Sequence, residues 1–333
     1  MIDQPDTTSC ARAALPRRRW LPVIKTAIGV ALIVGLLLWE GNGRKLLAIF
    51  AGFQLQYLLA LAAISLGLNA VSSIKWRLFL RDRGVGSSHI ELFNLYLIGK
   101  FFSNFLPSMV GGDLARIYLL GRQISSHAIS AASVGLERAT GIIGLTMLAV
   151  IFAATNMELL INPIIALSLG SAVLACAAAI TMFYWPGFAA LIVGLLQALP
   201  GCGGLARKIG RLLDEVGYFR DRHRLVALSL LYSFAFHFLA AVNVYAACLS
   251  IGFAPAFADV LVITPVVLLL TMLPVSPNNL GWWEWCFSVL LLDAGATAAE
   301  GFAVAVTLRA VTMVVSLIGG LLFLMQRSGA AGR

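Results

Sequence analysis

The sequence predicts an all-α protein: a polytopic membrane helical bundle of about eight spans. Three observations lead there. Of 333 residues, 60% are hydrophobic and 12% charged, whereas soluble domains carry about 25% charged residues. The mean hydropathy is +0.92. Apolar runs able to cross a ~30 Å hydrocarbon layer, roughly 20 residues each, recur along the chain. In lipid a spanning segment must satisfy its own backbone, and a continuous apolar run does so as a helix.

Spans are predicted at 21–39, 46–71, 90–106, 128–155, 164–185, 225–251, 257–273 and 301–325. The first follows a basic segment but is trailed by Trp39-Glu40-Gly41-Asn42. That stretch lacks a small-residue cleavage pattern, so the first span reads as a retained helix. Span 90–106 stops at Pro107, which has no backbone donor, and Gly111-Gly112 loosens the chain beyond it. Two shorter apolar pieces, 187–199 and 282–292, are too short to cross alone. No linker or low-complexity tract divides the chain. It reads as a basic segment 1–20, one membrane domain 21–326 and a tail 327–333. The five cysteines (Cys10, Cys176, Cys202, Cys248, Cys286) form no CxxC pair and read as small buried hydrophobes. No metal-spaced histidine set and no nucleotide-binding loop occurs, so neither a metal nor a cofactor is implied, and any driving force is a gradient or none.

Charge gives the orientation. Fifteen of the 24 Lys and Arg residues fall in three groups. The first holds Arg12, Arg17, Arg18, Arg19 and Lys25, and the second Lys75, Arg77, Arg81 and Arg83. The third holds Arg207, Lys208, Arg211, Arg220, Arg222 and Arg224, within a short amphipathic surface segment. The positive-inside rule places all three in the cytoplasm, with the N-terminus inside, as in a bacterial inner membrane. The bias serves topology alone or also gathers anionic lipid at the cytoplasmic surface. No recognition module for nucleic acid accompanies it.

Orientation imposes parity. If Arg83 and Arg207 share a side, an even number of crossings separates them, and spans 128–155 and 164–185 already supply two. Segment 90–106 must then return to its own side as a re-entrant hairpin or pair with another crossing. A similar object occurs later: 257–273 is followed by Leu273-Pro274, matching Leu106-Pro107 at an offset of 167 (274 − 107). Interrupted segments at matching places in two halves point to a binding site between internal repeats; two unrelated kinks are the alternative.

Seven ionisable residues lie in or beside these segments: Lys100, Asp113, Arg116, Glu137, Arg138, Glu284 and Arg309. Isolated in lipid they would cost roughly 18–25 kcal/mol together, more than a typical fold's stability of about 5–15 kcal/mol. They must pair, snorkel or line water. Asp113 and Arg116 share a helix face. Glu137 and Arg138 diverge by about 100°, so each needs a partner elsewhere: Arg116 or Arg309 for Glu137, Asp113 or Glu284 for Arg138. Such a network fixes packing, or its surplus positive charge from Lys100, Arg116 and Arg138 cradles a phosphate. Amides of Gly111 and Gly112 add donors at a helix start, and Ser103, Asn104 and Ser108 offer groups for sugar or glycerol hydroxyls or cap broken backbone. His237 reads as a packed histidine, Trp282, Trp283 and Trp285 as an interfacial belt, and Phe101, Phe102 and Phe105 as packing.

The run Phe102, Asn104, Leu106-Pro107-Ser108, Gly111-Gly112-Asp113, Arg116, Ser133-Val134 and Glu137-Arg138, followed by Pro274, Ser276, Gly281 and Glu284, resembles the lysylphosphatidylglycerol synthase transmembrane-region family of flippase-like membrane proteins. The resemblance spans nearly the whole chain. It adds Ser276, Asn278, Asn279 and Glu284 to the candidate substrate-binding set. Two departures stand out: Asn278-Asn279 where the family usually has two glycines, and Trp283 where arginine is common. The sequence ends at Arg333 without an aminoacyltransferase domain, so aminoacyl-lipid synthesis is not carried over. What the resemblance implies is a stand-alone lipid transporter or flippase. Its substrate would be a lipid with a polar, anionic headgroup: a glycolipid, a phospholipid or, as for some relatives, a hopanoid. The alternatives are a membrane-embedded lipid-modifying enzyme using Asp113, Glu137 or Glu284 as acid or base, for which no catalytic motif is found, and a scaffold for lipid-synthesis enzymes.

Overall fold

A computed structural model describes residues 20–38, 42–105, 111–185, 187–198 and 203–331. Leu106, Pro107, Ser108, Cys10, Cys202 and the arginines before Trp20 lie outside the described residues. Among the described residues every regular element is helical: α1 (Trp20–Leu38), α2 (Asn42–Ala51), α3 (Gln56–Asp82), α4 (His89–Phe105), α5 (Gly111–Gln123), α6 (His127–Thr155), α7 (Pro163–Tyr184), α8 (Phe188–Gln197), α9 (Gly203–Gly217), α10 (His223–Ser250), α11 (Phe257–Leu270), α12 (Trp282–Leu290) and α13 (Ala298–Ala331). Five of them, α3, α6, α7, α10 and α13, are long and apolar enough to cross a membrane. They expose broad apolar faces, Leu59, Ile151, Leu174, Leu231 and Leu321 among them, which lipid tails solvate and water would not.

Several predicted boundaries move. Span 46–71 is split: α2 ends at Ala51, and α3 runs on to Asp82. Lys75 ended the hydropathy run, but its charge is buried and paired, so the helix continues through it. Segment 257–273 stops at Leu270, and residues 271–281 form a turn around the 3₁₀ piece Pro277–Asn279. The last helix extends beyond the predicted 301–325 at both ends.

Segment 90–106 is one limb of a hairpin. Gly99 packs on Gly112, the Tyr96 ring covers Arg116, and Leu92 and Leu95 share a buried cluster with Leu120. The pairing sums stay constant, so α4 and α5 are antiparallel. Segments α11 and α12 make the second hairpin. Trp282 Nε1 donates to the Leu270 carbonyl at 2.9 Å beside the turn. At the base, Asp259 accepts from Asn156 at 2.5 Å and Asp293 accepts from Asn162 at 2.6 Å. Both limbs therefore start and finish beside the α6–α7 connection.

The hairpins enter from opposite ends. The first is based where Arg222 meets Asp82 at 3.6 Å, Arg83 pairs with Glu215 and Arg220 donates to the Phe183 carbonyl at 2.9 Å; this is the arginine-rich end. The second is based at the other end, where the Gln54 amide donates to Ser250 at 2.9 Å. Their tips meet: Asn278 Nδ2 donates to the Asn104 carbonyl at 3.0 Å, alongside the middle of α13. Span, hairpin, span therefore occurs twice and inverted, as α3–α6 and as α10–α13. The helix starts are offset by 167 (223 − 56), 168 (257 − 89), 171 (282 − 111) and 171 (298 − 127) residues. Between the halves, α9 packs on α6 and α8, so the predicted basic amphipathic segment is docked on the bundle.

Backbones approach closely where glycine permits, as is usual between membrane helices. A Cβ on Gly112 would lie 2.2 Å from the Gly99 carbonyl oxygen and 2.0 Å from Ser103 Oγ. One on Gly319 of α13 would lie 2.0 Å from the Leu97 carbonyl oxygen. Gly112→Ala is expected to cost about 1–3 kcal/mol through overpacking. Gly170→Ala, where a methyl meets nothing within 4 Å, leaves stability unchanged or raised. Thermal unfolding of the two variants in detergent micelles checks the contrast.

Candidate functional site

The charged residues of the first half converge on one cluster between α3, α4, α5 and α6. Arg116 is buried, its side chain 2% exposed. Its Nη2 donates to Asp113 Oδ1 at 2.5 Å, and the same guanidinium reaches Glu137 Oε2 at 3.3 and 3.4 Å. Its faces lie over Tyr96 at 4.3 Å and Trp76 at 5.2 Å, an environment that favours a planar cation. Arg138 binds Asp113 with both carboxylate oxygens, at 2.9 and 3.0 Å. The divergence of residues 137 and 138 is realised: the Glu137 side chain is 5% exposed and points inward, whereas that of Arg138 is 53% exposed.

Lys75 is the residue that reading the sequence misplaced. Rather than marking topology, its ammonium is buried behind Glu137. It donates to the Glu137 carbonyl at 2.7 Å and to Ser233 Oγ at 3.0 Å, and stands 3.6 Å from Glu137 Oε1. The signal was present as Ser65, Asn69, Ser72, Ser73 and Lys75, polar residues on α3 that are all buried. Lys100 of α4 lies within electrostatic reach of Asp113, Arg116, Glu137 and Arg138, and no hydrogen bond or ion pair engages it among the described residues. Four cations thus face two carboxylates, a formal surplus of two positive charges.

The remaining candidates divide between two places. Ser103 and Gly112 lie where α4 and α5 interlock, a close approach that Gly112 permits, and Gly111 is buried at the start of α5. Ser108 lies outside the described residues. Asn104, Ser276, Asn278, Asn279, Glu284 and Arg309 gather at the second hairpin's tip. There Arg309 donates to Glu284 Oε1 at 2.5 Å and to the carbonyls of Asn278 and Asn279 at 3.3 and 3.1 Å. Neither Glu137 with Arg309 nor Arg138 with Glu284 is a pair. His237 is packed as expected, donating to the Gly141 carbonyl at 3.0 Å. Cys176, Cys248 and Cys286 are buried. Trp282 and Trp283 correct the predicted belt: their indole nitrogens donate to the Leu270 and Ala305 carbonyls at 2.9 and 3.2 Å, fastening α12 to its neighbours.

A family model described as the lysylphosphatidylglycerol synthase TM region matches residues 23–320. The chain belongs to this family. Within this member of the lysylphosphatidylglycerol synthase transmembrane-region family, the matched residues include both hairpins and both ion-paired tips. The UPF0104 membrane protein PH1989 of Pyrococcus horikoshii is 24% identical over 327 residues, covering 90% of this chain and 96% of that protein. No solved structure matches. Family and fold together make this a multi-pass membrane protein linked to lipid handling.

Removing one partner of a buried pair leaves an uncompensated charge, at about 3–5 kcal/mol. Glu137→Gln leaves Lys75 and Arg116 facing each other without their shared anion, and Lys75→Met alone leaves Glu137 with Arg116. We expect Glu137→Gln to be the more damaging, and the double variant to lose less than the sum. Unfolding midpoints of the four chains in micelles test this cycle.

Proposed function

We propose that this protein moves a lipid with an anionic, phosphate-bearing headgroup from one leaflet to the other. One observation carries the reading: the surplus of two positive charges in a cluster whose outermost member, Arg138, is half exposed. Arg138 is the twelfth residue of α6, about 17 Å into the helix from the arginine-rich end. A half-exposed guanidinium at that depth is costly in plain hydrocarbon. It is stabilised when a phosphate supplies the oxygens that Asp113 does not, since a guanidinium fork binds phosphate oxygens in pairs.

Lys100, which no ion pair engages among the described residues, adds positive charge to the site, and Arg116 backs it from within. The acyl tails lie outside, along Leu114 and Tyr118, which share an exposed face of α5. In this reading the headgroup crosses beside charge while the tails stay in lipid. The arginine-rich end faces the cytoplasm, following the positive-inside rule, in a plasma membrane. The role is movement and not catalysis: Asp113, Glu137 and Glu284 are each engaged by arginine or lysine, which leaves none poised as a general acid or base.

Vesicles containing headgroup-labelled phosphatidylglycerol test the proposal. Wild-type protein is expected to expose the inner-leaflet label to a membrane-impermeant quencher, and Arg138→Ala to slow this at least tenfold, with a smaller effect on labelled phosphatidylcholine. Equal movement by the two proteins across lipids refutes it.

A further inference from the structure

The two halves carry the same ion pair at equivalent positions. Asp113 is the third residue of α5 and Arg138 the twelfth of α6. Glu284 is the third residue of α12 and Arg309 the twelfth of α13. Partners are separated by 25 residues in both halves, and the offset between halves is 171 for the carboxylate (284 − 113) and for the arginine (309 − 138). The surroundings of the two arginines differ. All hydrogen bonds of Arg138 among the described residues go to Asp113, and its side chain is 53% exposed. Arg309 is 19% exposed, with Nε on Glu284 and both Nη atoms on carbonyls of the turn. The second oxygen of Glu284 accepts from the Gly281 amide at 2.8 Å and caps α12. One half holds its arginine open; the other has it sealed.

The seal is a costly turn. Asn278 and Asn279 have φ of 50° and 53°, a left-handed backbone that asparagine visits as a single residue but that is unusual at two successive positions. Ser276 Oγ and Asn279 Oδ1 are buried without a hydrogen-bond partner among the described residues. A conformation carrying such costs is one that a modest competing interaction can displace. Inverted repeats that hold two different conformations convert an opening on one side into an opening on the other by exchanging them.

We propose that Glu284–Arg309 is the latch on a second headgroup station. When residues 271–281 withdraw, Arg309 takes on toward the end carrying Asn162 and Asp259 the open environment that Arg138 has here. The tip-to-tip bond from Asn278 to Asn104 links this release to the first hairpin. The ligand assigned to the station rests on the headgroup reading above; the latch does not.

The native side chains report on it. Cys286, two residues after Glu284, is fully buried, and Cys176 on α7 is a buried control away from the hairpin. Full-length protein in micelles is treated with N-ethylmaleimide, or with phenylglyoxal for arginine, and modification is resolved by peptide. In the wild type, Arg138 is expected to react and Arg309 and Cys286 to stay protected. Glu284→Gln raises the rates at Cys286 and Arg309 at least tenfold and that at Cys176 less than twofold. Short-chain phosphatidylglycerol then slows Arg309 modification at least fivefold, as it does for Arg138 in the wild type, with phosphatidylcholine weaker at both. Unchanged Cys286 and Arg309 in Glu284→Gln overturn the latch, even if phosphatidylglycerol protects Arg138. Opening without lipid protection of either arginine leaves the latch standing and refutes the headgroup reading. If Cys176 rises equally, Arg309→Lys decides: a rise at Cys286 alone supports the latch, and a parallel or absent rise overturns it.

Discussion

Lipid offers no hydrogen bonds, so a charge carried into the bilayer must find its counterpart on the protein. In this fold Asp113 and Glu137 meet that demand for three cations at once. Asp113 takes both guanidinium groups, and Glu137 bridges Arg116 to Lys75. The two acids stand on α5 and α6, and their partners on α3, α5 and α6. The network therefore fixes how the first hairpin seats against both long helices of its half. Apolar contacts hold α4 against its neighbours, but α5, at 13 residues, is too short to cross on its own and depends on the network for its place.

Much of this was legible because hydropathy and parity are global constraints. Charge bias required an even number of crossings between Arg83 and Arg207, which made segment 90–106 one limb of a return. The spacing of Asp113, Arg116, Glu137 and Arg138 was enough to narrow the partners of Glu137 and Arg138 to two each, of which the fold realises Arg116 and Asp113. Lys75 escaped for a physical reason: a lysine beyond an apolar run looks like a boundary marker until its counter-ion, 62 residues away, is seen. The tryptophans of α12 escaped likewise, because an indole that caps a carbonyl and one that sits at a headgroup have the same sequence signature. The exposure of Arg138 against the sealing of Arg309 depends on tertiary packing alone and has no mark in the sequence.

The inverted halves are alike in frame and unlike in filling. At the offset of 171 residues that aligns the ion pairs, Arg116 corresponds to Phe287 and Glu137 to Leu308, both buried in the main apolar core. The second half keeps one neutral pair and fills the rest with hydrocarbon, whereas the first surrounds its pair with further charge. Helix α7 makes the inversion possible. A span, a hairpin and a span bring the chain back to the side where it began, so a single extra crossing is needed before the second half can start from the other side.

Helix α4 leans on α13 through most of its length. Gly319 meets the Leu97 carbonyl, Gly320 meets Phe101, and Phe323 meets Phe102 edge-on. Ribosomes deliver α13 long after α4. Throughout synthesis, then, an early polar hairpin must wait for the wall it will lean against. The seating of the first half is in that sense completed only by an element of the second.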